Sequence, residues 1–221
     1  YSVNGGTIEN ISGAITVGGS VPVNDEYGIG MAAGYTWTKK DLLKPVKPDQ
    51  TTGNIINRGT INVNGKYSIG MYGTEAGTKV YNGTSKGSTA TINLGASNTT
   101  GMYLDNGAKG VNDGTITTVG NPKEAVGIVV RNGAEFTNNG TININSNGGF
   151  AFFKANGGII RNYGTFHIGG GALKEYLPGS KPTGKYLEVN GVKVIDIDAP
   201  SGSPTATIKE NGKLVTPVVT N

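Results

Sequence analysis

A three-part phrase that returns about every 25 residues constrains this chain more than any other feature. Its first part is Asn-x-Gly-Thr, followed by apolar residues at alternate positions. It reads Asn57-Arg58-Gly59-Thr60-Ile61-Asn62-Val63, then Asn112-Asp113-Gly114-Thr115-Ile116, then Asn138-Asn139-Gly140-Thr141-Ile142-Asn143-Ile144, then Asn162-Tyr163-Gly164-Thr165-Phe166-His167-Ile168. Weaker copies are Thr91-Ile92-Asn93-Leu94 and Gly13-Ala14-Ile15-Thr16-Val17. Thr91, Thr115, Thr141 and Thr165 lie 24, 26 and 24 residues apart, and the longer steps before Thr91 carry inserted residues.

The second part includes Tyr27-Gly28-Ile29-Gly30-Met31, Tyr67-Ser68-Ile69-Gly70-Met71, Thr99-Thr100-Gly101-Met102-Tyr103, Ala125-Val126-Gly127-Ile128-Val129 and Gly149-Phe150-Ala151-Phe152-Phe153. The third closes the unit as Asn106-Gly107-Ala108, Asn132-Gly133-Ala134 and Asn156-Gly157-Gly158. Alternating apolar residues mark half-buried strands, and Asn-Gly pairs supply the positive φ of tight turns. Glycine interrupts almost every window, so no helical period is sustained. One such unit cannot bury its own apolar face, whereas stacked units can. The sequence therefore predicts an all-β, right-handed parallel β-helix with three strands and about 25 residues per coil. An up-and-down antiparallel barrel would also use Asn-Gly turns, but at 8–12-residue intervals. A long period of three unlike phrases suits coils better.

Stacking turns sequence positions into columns. Ile61, Val63, Ile92, Leu94, Ile116, Ile142, Ile144, Phe166 and Ile168 are expected inward on one face. Ile29, Met31, Ile69, Met71, Met102, Val126, Ile128, Phe150 and Phe152 are expected inward on the next. Asn57, Asn112, Asn138 and Asn162 share one repeat position and are expected to form an amide ladder; the alternative is four separate turn asparagines. Gly30, Gly70, Gly101, Gly127 and Ala151 are expected at one outward position, as a shallow groove or a local bend. Aligning the turns sets Asp105 against Arg131 and Lys109 against Glu135, opposite charges one coil apart.

Composition narrows the function. The 221 residues include 38 Gly, no Cys and one His, and only 15% are charged. Without Cys there are no disulfides and no thiolate metal sites. No apolar run reaches the length of a membrane-spanning helix. The chain reads as a mature segment with no signal peptide before Tyr1. A net charge of +4 is a mild surplus of Lys, and no basic run interleaved with aromatics suggests nucleic acid. Glycosidase chemistry needs paired carboxyls. The near pairs are Asp25-Glu26, Asp105 with Asp113, and Asp196 with Asp198, none accompanied by a basic cluster. His167 takes the place of Asn143 and Asn62 in the repeat, which marks it as an ordinary outward residue. No enzyme activity, cofactor or metal is expected.

Insertions leave a solenoid as loops. They are expected at residues 33–53, 73–90 and 169–186, with irregular coils or hairpins over 187–221. The first holds the candidate binding residues Tyr35, Trp37, Lys39 and Lys40, aromatics beside Lys that could stack on a sugar or hold an anionic group.

The phrases Gly-Thr-Ile-Asn-Val/Ile, Gly-Ile-Gly-Met-Tyr and Asn-Gly-Ala, over residues 4–168, resemble the passenger repeats of type V autotransporters, closest to the large fusobacterial surface adhesins. That resemblance implies a β-helical stalk exposed at the cell surface or outer membrane, and the segment itself is expected to be a monomer. It would adhere to host-cell or bacterial surface glycan or protein, and would reach the membrane only through a barrel this segment lacks. Two other readings are a β-helical lyase or glycosidase fragment and a phage or fibre structural protein.

Overall fold

The computed structural model describes residues 1–19, 28–35 and 51–176, and the backbone of five strands beyond them; side chains are described as far as Ala172. Six coils of three strands follow one another. The first holds β1 (Thr7–Asn10), β2 (Ala14–Val17) and β3 (Ile29–Ala33), and the second β4 (Asn54–Asn57), β5 (Thr60–Val63) and β6 (Ile69–Gly73). The third holds β7 (Lys79–Asn82), β8 (Thr91–Leu94) and β9 (Thr100–Leu104), and the fourth β10 (Lys109–Asn112), β11 (Thr115–Thr118) and β12 (Val126–Val130). The fifth holds β13 (Glu135–Asn138), β14 (Thr141–Asn145) and β15 (Phe150–Lys154), and the sixth β16 (Ile159–Asn162), β17 (Thr165–Gly169) and β18 (Leu173–Tyr176). Strands of like position pair in parallel across coils, giving the sheets β1-β4-β7-β10-β13-β16, β2-β5-β8-β11-β14-β17 and β3-β6-β9-β12-β15-β18. The second of them is extended beyond β17 by two later strands, the first of which, Thr207–Glu210, pairs with β17 in parallel. This is a right-handed parallel β-helix.

Register is set by like residues facing like. Thr60, Thr91, Thr115, Thr141 and Thr165 are successive Cα partners, as are Ile61, Ile92, Ile116, Ile142 and Phe166. The second member of each pattern, from Ile61 to Phe166, is at most 2% exposed. A slip of one residue would turn every one of them out to water, so burial fixes the register. The first sheet adds Ile55, Val80, Phe136 and Ile160 to the same core, each two residues before the ladder asparagine. Phe136, Phe152 and Phe166, one from each sheet, meet inside; the last two stand edge to face at 4.7 Å between ring centres.

The third sheet departs from simple alternation. Met31, Met71, Met102, Ile128 and Phe152 point inward as expected, at most 5% exposed. Ile29, Ile69, Val126 and Phe150 do not: they lie at the surface, half-buried or, for Ile29, exposed. The glycine column between them faces the core, not the outside. A Cβ at Gly101 would stand 2.6 Å from the carbonyl oxygen of Gly127 and 2.7 Å from Cγ2 of Ile116. Two consecutive residues, glycine and then Met or Ile, are thus turned inward in each coil, which requires a local bend of the strand. Ala151, fully buried, fills the same place in the fifth coil. There is no outward groove along this column.

The boundaries of the insertions also differ from expectation. Residues 73–90 contain β7, a regular rung with Val80 and Asn82 buried, so the extra length is confined to 83–90. Residues 169–186 contain β18, which pairs with β15. Both strands lack the repeated apolar alternation that marks the other rungs, and their pairing with neighbouring coils defines their bounds. Beyond, β19 (Tyr186–Val189) and β20 (Val192–Ile195) pair antiparallel, as do β21 (Thr207–Glu210) and β22 (Lys213–Val215). A final strand, β23 (Val218–Thr220), pairs with β19.

Candidate functional site

The corner between the first two sheets carries a continuous amide ladder. Asn57, Asn112, Asn138 and Asn162 stand in one column, together with Asn10 and Asn82. Each Nδ2 donates to Oδ1 of the next asparagine at 2.8 Å, from Asn10 through to Asn162. The second Nδ2 hydrogen of Asn57, Asn112 and Asn138 goes to the carbonyl of the glycine two residues on. From Asn57 onward the ladder is at most 1% exposed. Buried amides are costly unless bonded, and here the column satisfies them from coil to coil. Asn82 escapes the sequence pattern because eight residues, not two, separate it from the following Thr91. The spacing of Val80 to Asn82, the same as Phe136 to Asn138, is the signal that could have found it. The ladder is structural; it offers no group to a ligand.

The outer face of the third sheet offers more. Tyr72 and Tyr103 are neighbours in register, with ring centres 5.7 Å apart and planes tilted by 41°. Together with Ile29, Ile69 and Asp105 they line a hollow of about 370 Å³. Arg131, one coil further, donates from a guanidinium nitrogen to the Tyr103 hydroxyl at 2.8 Å. That bond holds the guanidinium above its ordinary pKa. Burial pushes the Tyr72 phenol up, opposed by its hydrogen bond with Thr74. Asp105 accepts from Nδ2 of Asn132 at 2.6 Å and from the backbone N–H of Asn106. The stacking of Asp105 and Arg131 holds, but each takes a different principal partner. The result is two phenol rings and a carboxylate beside the apolar side chains of Ile29 and Ile69, with one phenol held by the Arg131 guanidinium, a surface able to take a flat ligand with hydroxyl groups. Neither tyrosine was singled out in the sequence, because their column (Ala32, Tyr72, Tyr103, Val129, Phe153) varies from coil to coil.

Lys109 and Arg161 flank Glu135 on the first sheet, at 3.5 and 2.8 Å. The Arg161 bond above all holds the Glu135 carboxyl below its usual range. This cluster is saturated by its own charges.

Of the four candidate binding residues, the structure describes Tyr35, whose ring meets that of Tyr1 edge to face at 6.4 Å and whose N–H donates to Thr51. Trp37, Lys39 and Lys40 lie outside the described residues, as do Asp25-Glu26 and Asp196 with Asp198. Asp105 and Asp113 stand at opposite ends of β10, each engaged by an asparagine amide. His167 pairs with Asn143 in register and lines a second, polar hollow of about 290 Å³ with Thr118, Asn143 and Asn145. Among the described residues no three of His, Asp and Glu gather as metal ligands.

No curated protein and no solved structure matches the chain. A family model does so twice, over residues 1–84 and 79–176, the two matches overlapping on β7 as a solenoid built of like coils permits. With most of its length covered in this way, the chain belongs to the family of the BigA third pectate lyase-like domain.

Proposed function

We propose that this chain is a stalk segment of an exported bacterial surface protein, of the type V autotransporter passenger kind, which spaces and presents adhesive surfaces and has no catalytic role. The observation that carries this reading is the family membership, because the family is that of a surface protein. The architecture supports it. Each coil satisfies its backbone and its buried amides through the coils beside it, so length is gained without a new core. The adhesive contact is assigned to the third-sheet hollow of Tyr72, Tyr103, Asp105 and Arg131 and to the segment with Tyr35, Trp37, Lys39 and Lys40. Its partner is a glycan or protein of a host-cell or bacterial surface, and the segment acts as a monomer.

The test is a glycan and surface-protein array probed with the chain, with a variant lacking residues 36–50 and with Tyr72→Ala/Tyr103→Ala. Retained binding by the parent and its loss in either variant is the expected result. Parent binding that survives in both variants would overturn the assignment of the contact surfaces. Failure of the parent to bind any arrayed surface would leave a spacer and remove the adhesive role. Release of unsaturated uronides from pectate or a related polysaccharide would overturn the non-catalytic reading.

A further inference from the structure

Ten Asn-Gly dipeptides occur in the chain, and eight lie among the described residues. Asn-Gly is the pair most open to spontaneous deamidation. The glycine backbone nitrogen attacks the asparagine side-chain carbonyl carbon, and a C–N bond closes a succinimide as the side-chain nitrogen leaves as ammonia. Water then opens the ring at either carbonyl to give aspartate or isoaspartate. The attacking nitrogen must be released from any hydrogen bond it donates.

In six of the eight dipeptides that nitrogen is tied across to a neighbouring coil. Gly5 donates to Thr52, Gly65 to Val17, Gly83 to Asn57, Gly107 to Asn132, Gly133 to Asn156 and Gly140 to Asn112, at 2.8–3.1 Å. In Asn147-Gly148 and Asn156-Gly157 the glycine N–H has no acceptor among the described residues. Both turns are closed by flanking bonds, Gly149 N–H to Ser146 and Gly158 N–H to Ala155, each 3.1 Å. The Asn147 and Asn156 carbonyls accept from Glu124 and Gly133 of the preceding coil, which leaves the attacking glycine nitrogens untied. All four residues of these two dipeptides are exposed.

Exposure alone does not separate the sites. Asn4 and Asn64 are exposed as well, yet their glycines are tied. We infer that Asn147 and Asn156 are the sites at which the described stack is chemically modified, by deamidation to aspartate and isoaspartate, and that inter-coil hydrogen bonding protects the other six. At Asn156 the product loses the Nδ2 donor that now bonds Oδ1 of Asn132 at 3.0 Å, and a carboxylate takes its place.

Site-resolved peptide mass spectrometry after incubation of the folded chain at mildly alkaline pH tests this. Asn147 and Asn156 are expected to convert at least about fivefold faster than Asn4 and Asn64, the factor set by one tied backbone hydrogen bond. In strong urea all four are expected to convert at similar rates, because each is followed by glycine. Asn4 or Asn64 keeping pace with Asn147 and Asn156 in the folded chain would overturn the inference, since exposure would then be the controlling factor. So would survival of the ranking in urea, which would place the control in local sequence.

Discussion

The chain runs two asparagine columns up two corners of the same solenoid, and they behave differently because one is dry. The inner column, Asn10 to Asn162, repeats a 2.8 Å amide bond at each step and excludes water from Asn57 onward. The outer column runs through the turns as Asn106, Asn132 and Asn156; Asn156 donates to Asn132 at 3.0 Å, but Asn132 donates at 2.6 Å to Asp105, beside the column, and Asn156 is exposed. Its asparagines adopt positive φ, 49° at Asn132 and 50° at Asn156, so they are there for backbone shape first and side-chain bonding second. The same residue type therefore supplies core satisfaction at one corner and turn geometry at the other.

The sharpest break of this comparison is Asn112→Ala. It strips a donor from Asn138 and an acceptor from Asn82 in a place water does not reach, and is expected to cost about 3 kcal/mol in urea unfolding. Asn10→Ala cuts the same ladder at its half-buried end, where solvent replaces the lost bond, and is expected to cost about 1 kcal/mol. On the outer column Asn132→Ala is expected to cost about 0.5 kcal/mol, while Asn132→Gly, which keeps the positive φ, costs less still. Equal losses at Asn112 and Asn132 would mean that the inner corner is not dry.

The smallest effect concerns charge between coils. The pKa of Glu135 is lowered in the folded state, so its contribution is present above the unfolded carboxyl value and fades as pH falls through the folded one. With the Glu135 side chain 30% exposed and that of Arg161 33% exposed, Glu135→Gln is expected to cost only about 0.3 kcal/mol at neutral pH. The difference from the parent should vanish in acid. A difference that persists where Glu135 is protonated would show that packing, not charge, holds Lys109 and Arg161 in place.

Much of the coil was legible because parallel stacking writes the same chemistry at the same place in each repeat. Ile61, Ile92, Ile116, Ile142 and Phe166 announce one inward column, and Asn57, Asn112, Asn138 and Asn162 another. What failed was the assumption of strict alternation. In the third sheet Gly101 and Met102 both face inward, and period-two reading therefore placed Ile69 and Phe150 inside and the glycines outside. The glycines themselves carried the clue: a Cβ there meets the next coil's carbonyl. β7 was hidden because eight residues at 83–90 separate its ladder asparagine from Thr91. The Tyr72–Tyr103 hollow was not legible at all, since an outward column is free to vary and only the fold brings two tyrosines from different coils together.

Stacked like residues are the premise under every column described, and a distance measures it. Spin labels at Thr60 and Thr165, four inter-strand steps apart in one sheet, should report a narrow distribution near roughly 19 Å, from the usual spacing of paired strands. A broad distribution, or one centred well beyond that distance, would mean that the coils do not stack in this register.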